Sequence, residues 1–160
     1  MQDLVVRPPL SLRVDLGERG IQRIRLGWCG GQQQEDAVLR SRYSLELDRY
    51  LHSLLLSVRP QPPSLFLDWG RVSGFACRVL TELENRVGPG EWISYSRLAE
   101  LCGVPGGARA VGRVMSGNPW PLLVPCHRVL RKDKGLGGFS SGLELKSYLL
   151  RLEKVELAQV

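Results

Sequence analysis

SYSRLAELCGVPGGARAVGRVMS, residues 94–116, spells two short helices around a tight turn and decides how the C-terminal half of the chain folds. Ser94 is placed to cap the first helix, 94–102, Leu98 and Leu101 face inward, and Gly103 can supply the left-handed residue that ends it. Gly103-Val104-Pro105-Gly106 joins it to a second helix over 107–116, making a helix-turn-helix. The second helix buries Ala110, Val111 and Val114 and presents Arg109, Gly112, Arg113 and Ser116 along another face. That stripe is cationic and slim, so it can lie against a phosphate backbone where bulky side chains would hold it off. The same pattern also makes an ordinary packed hairpin, and spacing alone leaves both open.

Downstream, Leu122-Leu123-Val124 runs into Pro125-Cys126-His127-Arg128-Val129. A cysteine whose approach is fixed by proline, beside a histidine able to move its proton, is the minimal equipment of a thiolate nucleophile. Such pairs also arise around inert buried thiols. The other cysteines lack this company: Cys77 and Cys102 fall at apolar helix positions, and Cys29 follows Trp28 at a strand end. No Cys-x-x-Cys pair occurs, so neither a zinc site nor a disulfide framework is expected.

Upstream, Leu10 to Leu16 alternates apolar and polar, the pattern of a half-buried strand. Gly17-Glu18-Arg19-Gly20 turns it into a second strand, Ile21 to Leu26, with Leu4 to Arg7 as a further strand. After a glutamine-rich loop, Leu47, Tyr50, Leu51, Leu54, Leu55 and Val58 recur at helical spacing. Pro60-Gln61-Pro62-Pro63 closes this unit, giving an N-terminal domain over 1–63, a linker over 64–72 and a C-terminal domain over 73–160. From Ser73, a plausible cap, Phe75, Val79, Leu83 and Val87 mark a helix stopped by Gly88-Pro89-Gly90.

The chain has 160 residues, 43% of them apolar, and a formal charge of +6, enough for a normal core with no apolar run long enough to span a bilayer. Residues 1–68 hold nine Lys/Arg against eight Asp/Glu, while 69–160 hold thirteen against eight. A polyanionic partner is therefore expected to meet the C-terminal part. Leu4-Val5-Val6 running into Arg7-Pro8-Pro9 is no signal-peptide core, so a cytosolic location is expected.

Asn118-Pro119 before the pentapeptide, together with Ala108 to Gly112, Ser94-Tyr95, Ser140-Ser141-Gly142-Leu143 and Glu153, resembles the O6-alkylguanine-DNA alkyltransferases over roughly Trp92 to Glu153. The resemblance implies an α+β fold: a small ribonuclease-H-like antiparallel sheet with a helix, then a mostly helical domain with a winged helix-turn-helix. It implies single-use transfer of an alkyl group from O6-alkylguanine, and O4-alkylthymine, in double-stranded DNA to Cys126. His127 would take the thiol proton through a water and Glu153 would orient His127. From spacing alone, Glu153 at the margin of a helix stripe is equally a surface charge. Asn118 would buttress the reactive segment, and Tyr95 would crowd the target phosphate and donate a proton to the departing guanine. Arg109 would enter the base stack, and Ser94, Gly112 and Arg113 would face DNA. Taken alone, Arg109 reads as a phosphate contact and Tyr95 as a half-buried aromatic.

By the same resemblance Met115, Trp120, Pro121 and Val129 join Phe139 and Ser140 around the substrate, and Arg128 secures a hinge rather than touching DNA. Four positions depart from the family pattern: Ser73-Gly74-Phe75 stands for Thr-Pro-Phe, Phe139 for tyrosine, and Ser141 for glycine. Neither cofactor nor metal is implied, and a monomer is expected. An alkyl thioether offers water no electrophilic carbonyl, so the protein should react once. The rivals are a lesion-binding alkyltransferase-like protein, which would lack the reactive cysteine; a sequence-reading transcription factor; and an unrelated thiol hydrolase.

Overall fold

The computed structural model describes residues 2–30, 41–56 and 62–158. Three strands, β1 (Gln2–Arg7), β2 (Leu10–Gly17) and β3 (Gly20–Trp28), form an antiparallel meander in chain order. Alternation decides which face is buried: Leu10, Leu12 and Val14 on β2 and Ile24 and Leu26 on β3 point inward, while Arg13, Arg23 and Arg25 point out. At the hairpin Gly20 adopts φ +120, and a Cβ there would lie 2.2 Å from the Phe66 carbonyl oxygen, so only glycine fits.

Helix α1 (Arg42–Leu55) packs on β1, burying Leu47, Tyr50, Leu51 and Leu54. Its start is set by Ser41, which caps Ser44 N–H at 3.2 Å in a reciprocal serine–serine box and also binds Asp3. Arg7 ties sheet to helix through two bonds to Asp48 at 2.6 and 2.7 Å. The glutamine-rich loop at 32–34, Val58 and Pro60-Gln61 lie outside the described residues.

The stretch expected as a linker is docked rather than free. Ile21 N–H donates to Phe66 O at 2.8 Å, Asp68 N–H donates to Ile21 O at 3.0 Å, and Trp69–Arg71 form a single 3-10 turn. Trp120 comes from the far side to meet it. Its indole N–H donates to Ile21 O at 2.8 Å, and its ring stands edge-on to Trp69 with centroids 4.7 Å apart. One apolar cluster consequently runs from Val5 and Leu12 through Leu80 and Leu98 to Val124 and Leu149.

Helix α2 (Gly74–Arg86) starts at Ser73, whose hydroxyl accepts from Ala76 N–H at 3.3 Å, so Gly74 does not prevent initiation. Val79, Leu80 and Leu83 are buried; Cys102 is buried too, whereas Cys77 is only half-covered. The helix pair is α3 (Tyr95–Leu101), capped by Ser94, and α4 (Ala108–Ser116), with Gly103 at φ +74 between them. On α4 Val111 and Met115 are buried and Ala110 and Val114 only half-buried, so the inner face turns further toward Met115 than the valines alone suggest. Two residue pairs of parallel strand, β4 (Ile93–Ser94) with β5 (Val129–Leu130), fasten the start of α3 to the reactive segment, and α5 (Leu143–Leu152) closes the domain.

Trp120 is fully buried between the two halves, so Trp120→Ala should cost about 3–5 kcal/mol through lost burial and a residual cavity. Urea unfolding of the variant should show a midpoint shift of that size.

Candidate active site

The reactive segment is held by its backbone before chemistry enters. Asn118 bridges the loop ahead of it: Nδ2 donates to Val124 O at 2.9 Å and Oδ1 accepts Trp120 N–H at 3.0 Å. Inside that bracket Leu122 sits at φ 75, a left-handed conformation costing about 1–3 kcal/mol outside glycine. Cys126–Arg128 then form one 3-10 turn and pass directly into β5.

The turn aims two side chains at one carboxylate. His127 Nε2 lies 3.1 Å from Glu153 Oε1, and Arg128 donates from Nε to Oε2 at 2.9 Å and from Nη2 to Oε1 at 2.7 Å. Arg128 Nη1 donates to Val87 O, the end of α2, at 2.7 Å, so Arg128 is a buried brace and does not face DNA. Burial alone would push the Glu153 carboxyl up; the bonds and charges of His127 and Arg128 outweigh it and bring the pKa to about 2. Glu153 is therefore a held partner and not a surface charge.

Burial is also the dominant influence on the other two members. It lowers the His127 pKa despite the pull of Glu153, so the imidazole is neutral near pH 7. Its Nε2 carries the proton given to Glu153, which leaves the lone pair on Nδ1, a buried atom with no hydrogen-bond partner among the described residues. Cys126 is 3% exposed, and burial pushes its thiol up, opposed by a bond from Asn118, the Lys146 charge and the backbone N–H groups of Cys126 and His127. At rest the pair is a neutral thiol beside a neutral imidazole, not a standing thiolate.

Lys146 escaped the sequence reading. Fully buried on α5, it donates from Nζ to Val129 O and Leu136 O, each at 2.6 Å, and to Gly138 O at 3.3 Å. The ammonium stands 5.7 Å from the Tyr95 ring centroid and 6.0 Å from that of Phe139. Burial brings its pKa down to about 8, with Cys126 opposing. A signal was available: Lys146 shares the helical stripe of Leu145, Leu149 and Leu150, where a cation has no solvent.

Beside this centre opens a cleft of about 520 Å³ whose lining includes Tyr95, Arg109, Gly112, Ser116, Phe139 and Ser140. Tyr95 O–H donates to Gly138 O at 3.4 Å, and burial first, then Cys126, raises its pKa, so the phenol stays protonated. Gly137, at φ +65, allows this approach; a Cβ there would meet the Tyr95 ring at 2.9 Å. Ser94 is half-buried as the α3 cap, Arg113 is exposed on the next face of α4, and Pro121 lines an adjoining groove with Asn118 and Ser140. Met115, Trp120 and Val129 are buried: Trp120 braces the two halves, and Val129 supplies a carbonyl to Lys146.

A family model described as the DNA binding domain of 6-O-methylguanine DNA methyltransferase matches residues 74–155. The chain belongs to this family. It is 39% identical over 114 residues to methylated-DNA--protein-cysteine methyltransferase of Rattus norvegicus, covering 71% of this chain and 54% of that protein. The human protein of the same name is 41% identical over 107 residues, 67% of this chain and 52% of that one. The chain thus spans about half the length of the curated relatives it matches. The crystal structure of Mycobacterium tuberculosis OGT in complex with DNA superposes with a TM-score of 0.77 at 27% identity, covering 96% of this chain and 92% of that one. The 6-O-methylguanine DNA methyltransferase match includes every expected catalytic residue, from Tyr95 to Glu153.

Because the Glu153 pKa of about 2 lies below the unfolded value of about 4.3, this carboxylate adds stability that is complete above about pH 5 and lost as pH falls toward 2. Glu153→Gln leaves Arg128 uncompensated and should cost about 3–5 kcal/mol at neutral pH. Urea midpoints measured from pH 2 to 7 should flatten in the variant relative to the parent. Lys146→Met strands three carbonyls and should lower the melting temperature by about 6–12 °C, the equivalent of about 3 kcal/mol in a chain of this size.

Proposed function

We propose that the protein repairs DNA by direct reversal, moving the alkyl group of O6-alkylguanine, and of O4-alkylthymine, onto Cys126 in a single turnover. The observation that carries this reading is the His127–Glu153 pair buried on the turn that Cys126 begins, beside a cleft that the Arg109 stripe of α4 borders. In this reading the α4 stripe lies against a duplex, the damaged base leaves the stack, and Arg109 takes its place. The base enters the cleft, where Phe139 stacks on it and Ser140 and the loop backbone read its edge. Gly112, Arg113 and Ser94 contact the flanking backbone, and Tyr95 crowds the target phosphate.

His127 Nδ1 takes the Cys126 proton through a water as the sulfur attacks the alkyl carbon. The S–C bond forms as the C–O6 bond breaks, and the electron pair stays on the purine. Tyr95 protonates the departing guanine and recovers its proton from the imidazolium, so the proton lost by the thiol balances the one guanine gains. Holding thiol and imidazole neutral until a substrate arrives keeps a single-use nucleophile from spending itself on other electrophiles. Asn118 and Lys146 are positioning residues: the first fixes the reactive segment and favours the thiolate, the second holds Val129 and Gly138 in place. Phe139 keeps the stacking face of a tyrosine without its hydroxyl, and Ser141 narrows the loop that many relatives leave as glycine, so both bear on which alkyl groups fit.

Residues 1–63 serve as scaffold, 64–72 connect, and 73–160 carry the reaction; the protein works as a cytosolic monomer without a cofactor. Among the described residues no helix is long and apolar enough to cross a membrane. A lesion-binding relative would have no use for the thiol at Cys126, which weighs against that reading.

Intact-mass measurement after mixing with a duplex containing O6-methylguanine should show the gain of one methyl, absent in Cys126→Ser; tight binding with unchanged mass would instead establish the lesion sensor. Tyr95→Phe should slow single-turnover transfer by about a hundredfold, the usual share of a general acid. The methylated protein should melt below the parent, because the added group crowds a packed site.

A further inference from the structure

Read as support, the N-terminal sheet has no reason to present arginines to a groove that adjoins the active-site cleft, yet it does. Arg23 and Arg25 project from the outer face of β3, the strand fixed to the reactive loop by Ile24 N–H donating to Pro119 O at 2.7 Å. Between strand and loop lies a groove of about 380 Å³ lined by Arg23, Arg25, Gly117, Asn118 and Ser140 among others, and it shares Ser116 and Ser140 with the cleft. A second groove of about 450 Å³ carries on past Arg23 to Arg19, Gln22 and Arg71. Among the described residues, none lining the cleft or either groove is acidic.

The pairing of these arginines separates structure from function. Arg25 is bonded to Asp15 at 2.7 Å, and Arg19 lies 3.4 Å from Asp68. Among the described residues no carboxylate stands within ion-pair distance of the exposed Arg23, Arg71 or Arg113. All three border grooves that meet at Gly117, the residue ending α4. The outward stripe of α4 therefore does not stop at Ser116; its charge continues onto the sheet.

We infer that the phosphodiester backbone of the bound duplex runs off the end of α4 into this groove, where Arg23 and Arg71 hold phosphates flanking the extruded base. The inference rests on the DNA-acting reading of the cleft. Three guanidinium groups without a carboxylate partner, bordering grooves that meet at one residue, make a positive surface that a polyanion complements. Arginine matches phosphate oxygens through two parallel N–H bonds and keeps its charge at any working pH. Gln22, Asn118 and Ser140 add neutral polar groups of the kind found along phosphate tracks.

The test titrates a short unmodified duplex into the parent protein and into Arg23→Ala/Arg71→Ala between about 50 and 200 mM salt. The double variant should bind about tenfold more weakly, and its log K against log salt slope should be shallower by about 1.8, two phosphate contacts at about 0.9 each. Arg42→Ala/Arg49→Ala, which removes the same charge from the exposed face of α1, should change neither quantity. Parent-like affinity and slope in the first variant overturn the inference and leave an acidic protein segment as the groove's occupant. An equal loss in the α1 variant also overturns it, since net charge alone would then explain the effect. The transfer reading fails separately, as an unchanged mass of the parent protein after exposure to the O6-methylguanine duplex. Both variants change exposed side chains, and thermal melts establish that they fold.

Discussion

One buried carboxylate governs the C-terminal half of the molecule. Glu153 stands at the end of α5, and its two oxygens are shared between Arg128 and His127, which sit next to each other on a single 3-10 turn. An isolated carboxylate at this depth would take up a proton; with a guanidinium on both oxygens it stays ionised and becomes a fixed reference point. Everything nearby is then placed by it. Arg128 carries the charge on to the end of α2 through Val87 O, and His127 is left with one tautomer, its lone pair on the nitrogen away from Glu153. Three elements distant in sequence are tied at one point, and the reactive cysteine begins the turn that makes the knot.

The burial that makes this knot strong sets the chemical terms of the site. Cys126 and His127 are both pushed toward their neutral forms, so reactivity is latent. Lys146 tempers this without cancelling it: its ammonium sits among three carbonyls and two aromatic rings, close enough to favour a sulfur anion. Under the proposed transfer, which would leave a permanent thioether, such restraint would keep adventitious reactions from removing molecules from service. The same lysine holds the loop bearing Phe139 through Leu136 O and Gly138 O, so cleft shape and thiol electrostatics depend on one side chain.

How much of this the sequence disclosed follows from which interactions are local. Strand alternation over residues 10–16, the caps Ser73 and Ser94, and the left-handed Gly103 are near-neighbour effects, and each stands where the residues place it. The pentapeptide and Glu153 were legible through family resemblance, because spacing alone could not tell a held carboxylate from a surface one. The start of α1 was hidden because it depends on Ser41 and on Asp3, far away in β1. Trp120 was placed beside the pocket by family resemblance alone; that its indole N–H donates to Ile21 O in the other half of the chain is a long-range contact no local pattern reveals. Segment 64–72 looked like a connector for a related reason: besides its own local turn, it is tied by two backbone hydrogen bonds to Ile21 on β3, a partner far away in sequence.

Charge is where counting misleads most. Residues 1–68 are nearly neutral in sum, which points any polyanion to the other half. A sum over residues ignores which charges have already met. Arg7 is satisfied by Asp48, Arg25 by Asp15 and Arg42 by Glu46, so much of the first half's positive charge is internally consumed. Arg23 is left over, and β3 delivers it to the edge of the reactive loop, because the strand's alternation turns Ile24 and Leu26 inward and Arg23 and Arg25 out. A strand whose inner face secures the fold must show something on its outer face. Here that outer face adjoins Gly117, where α4 ends, so the pairing pattern and not the composition determines how far the cationic surface reaches.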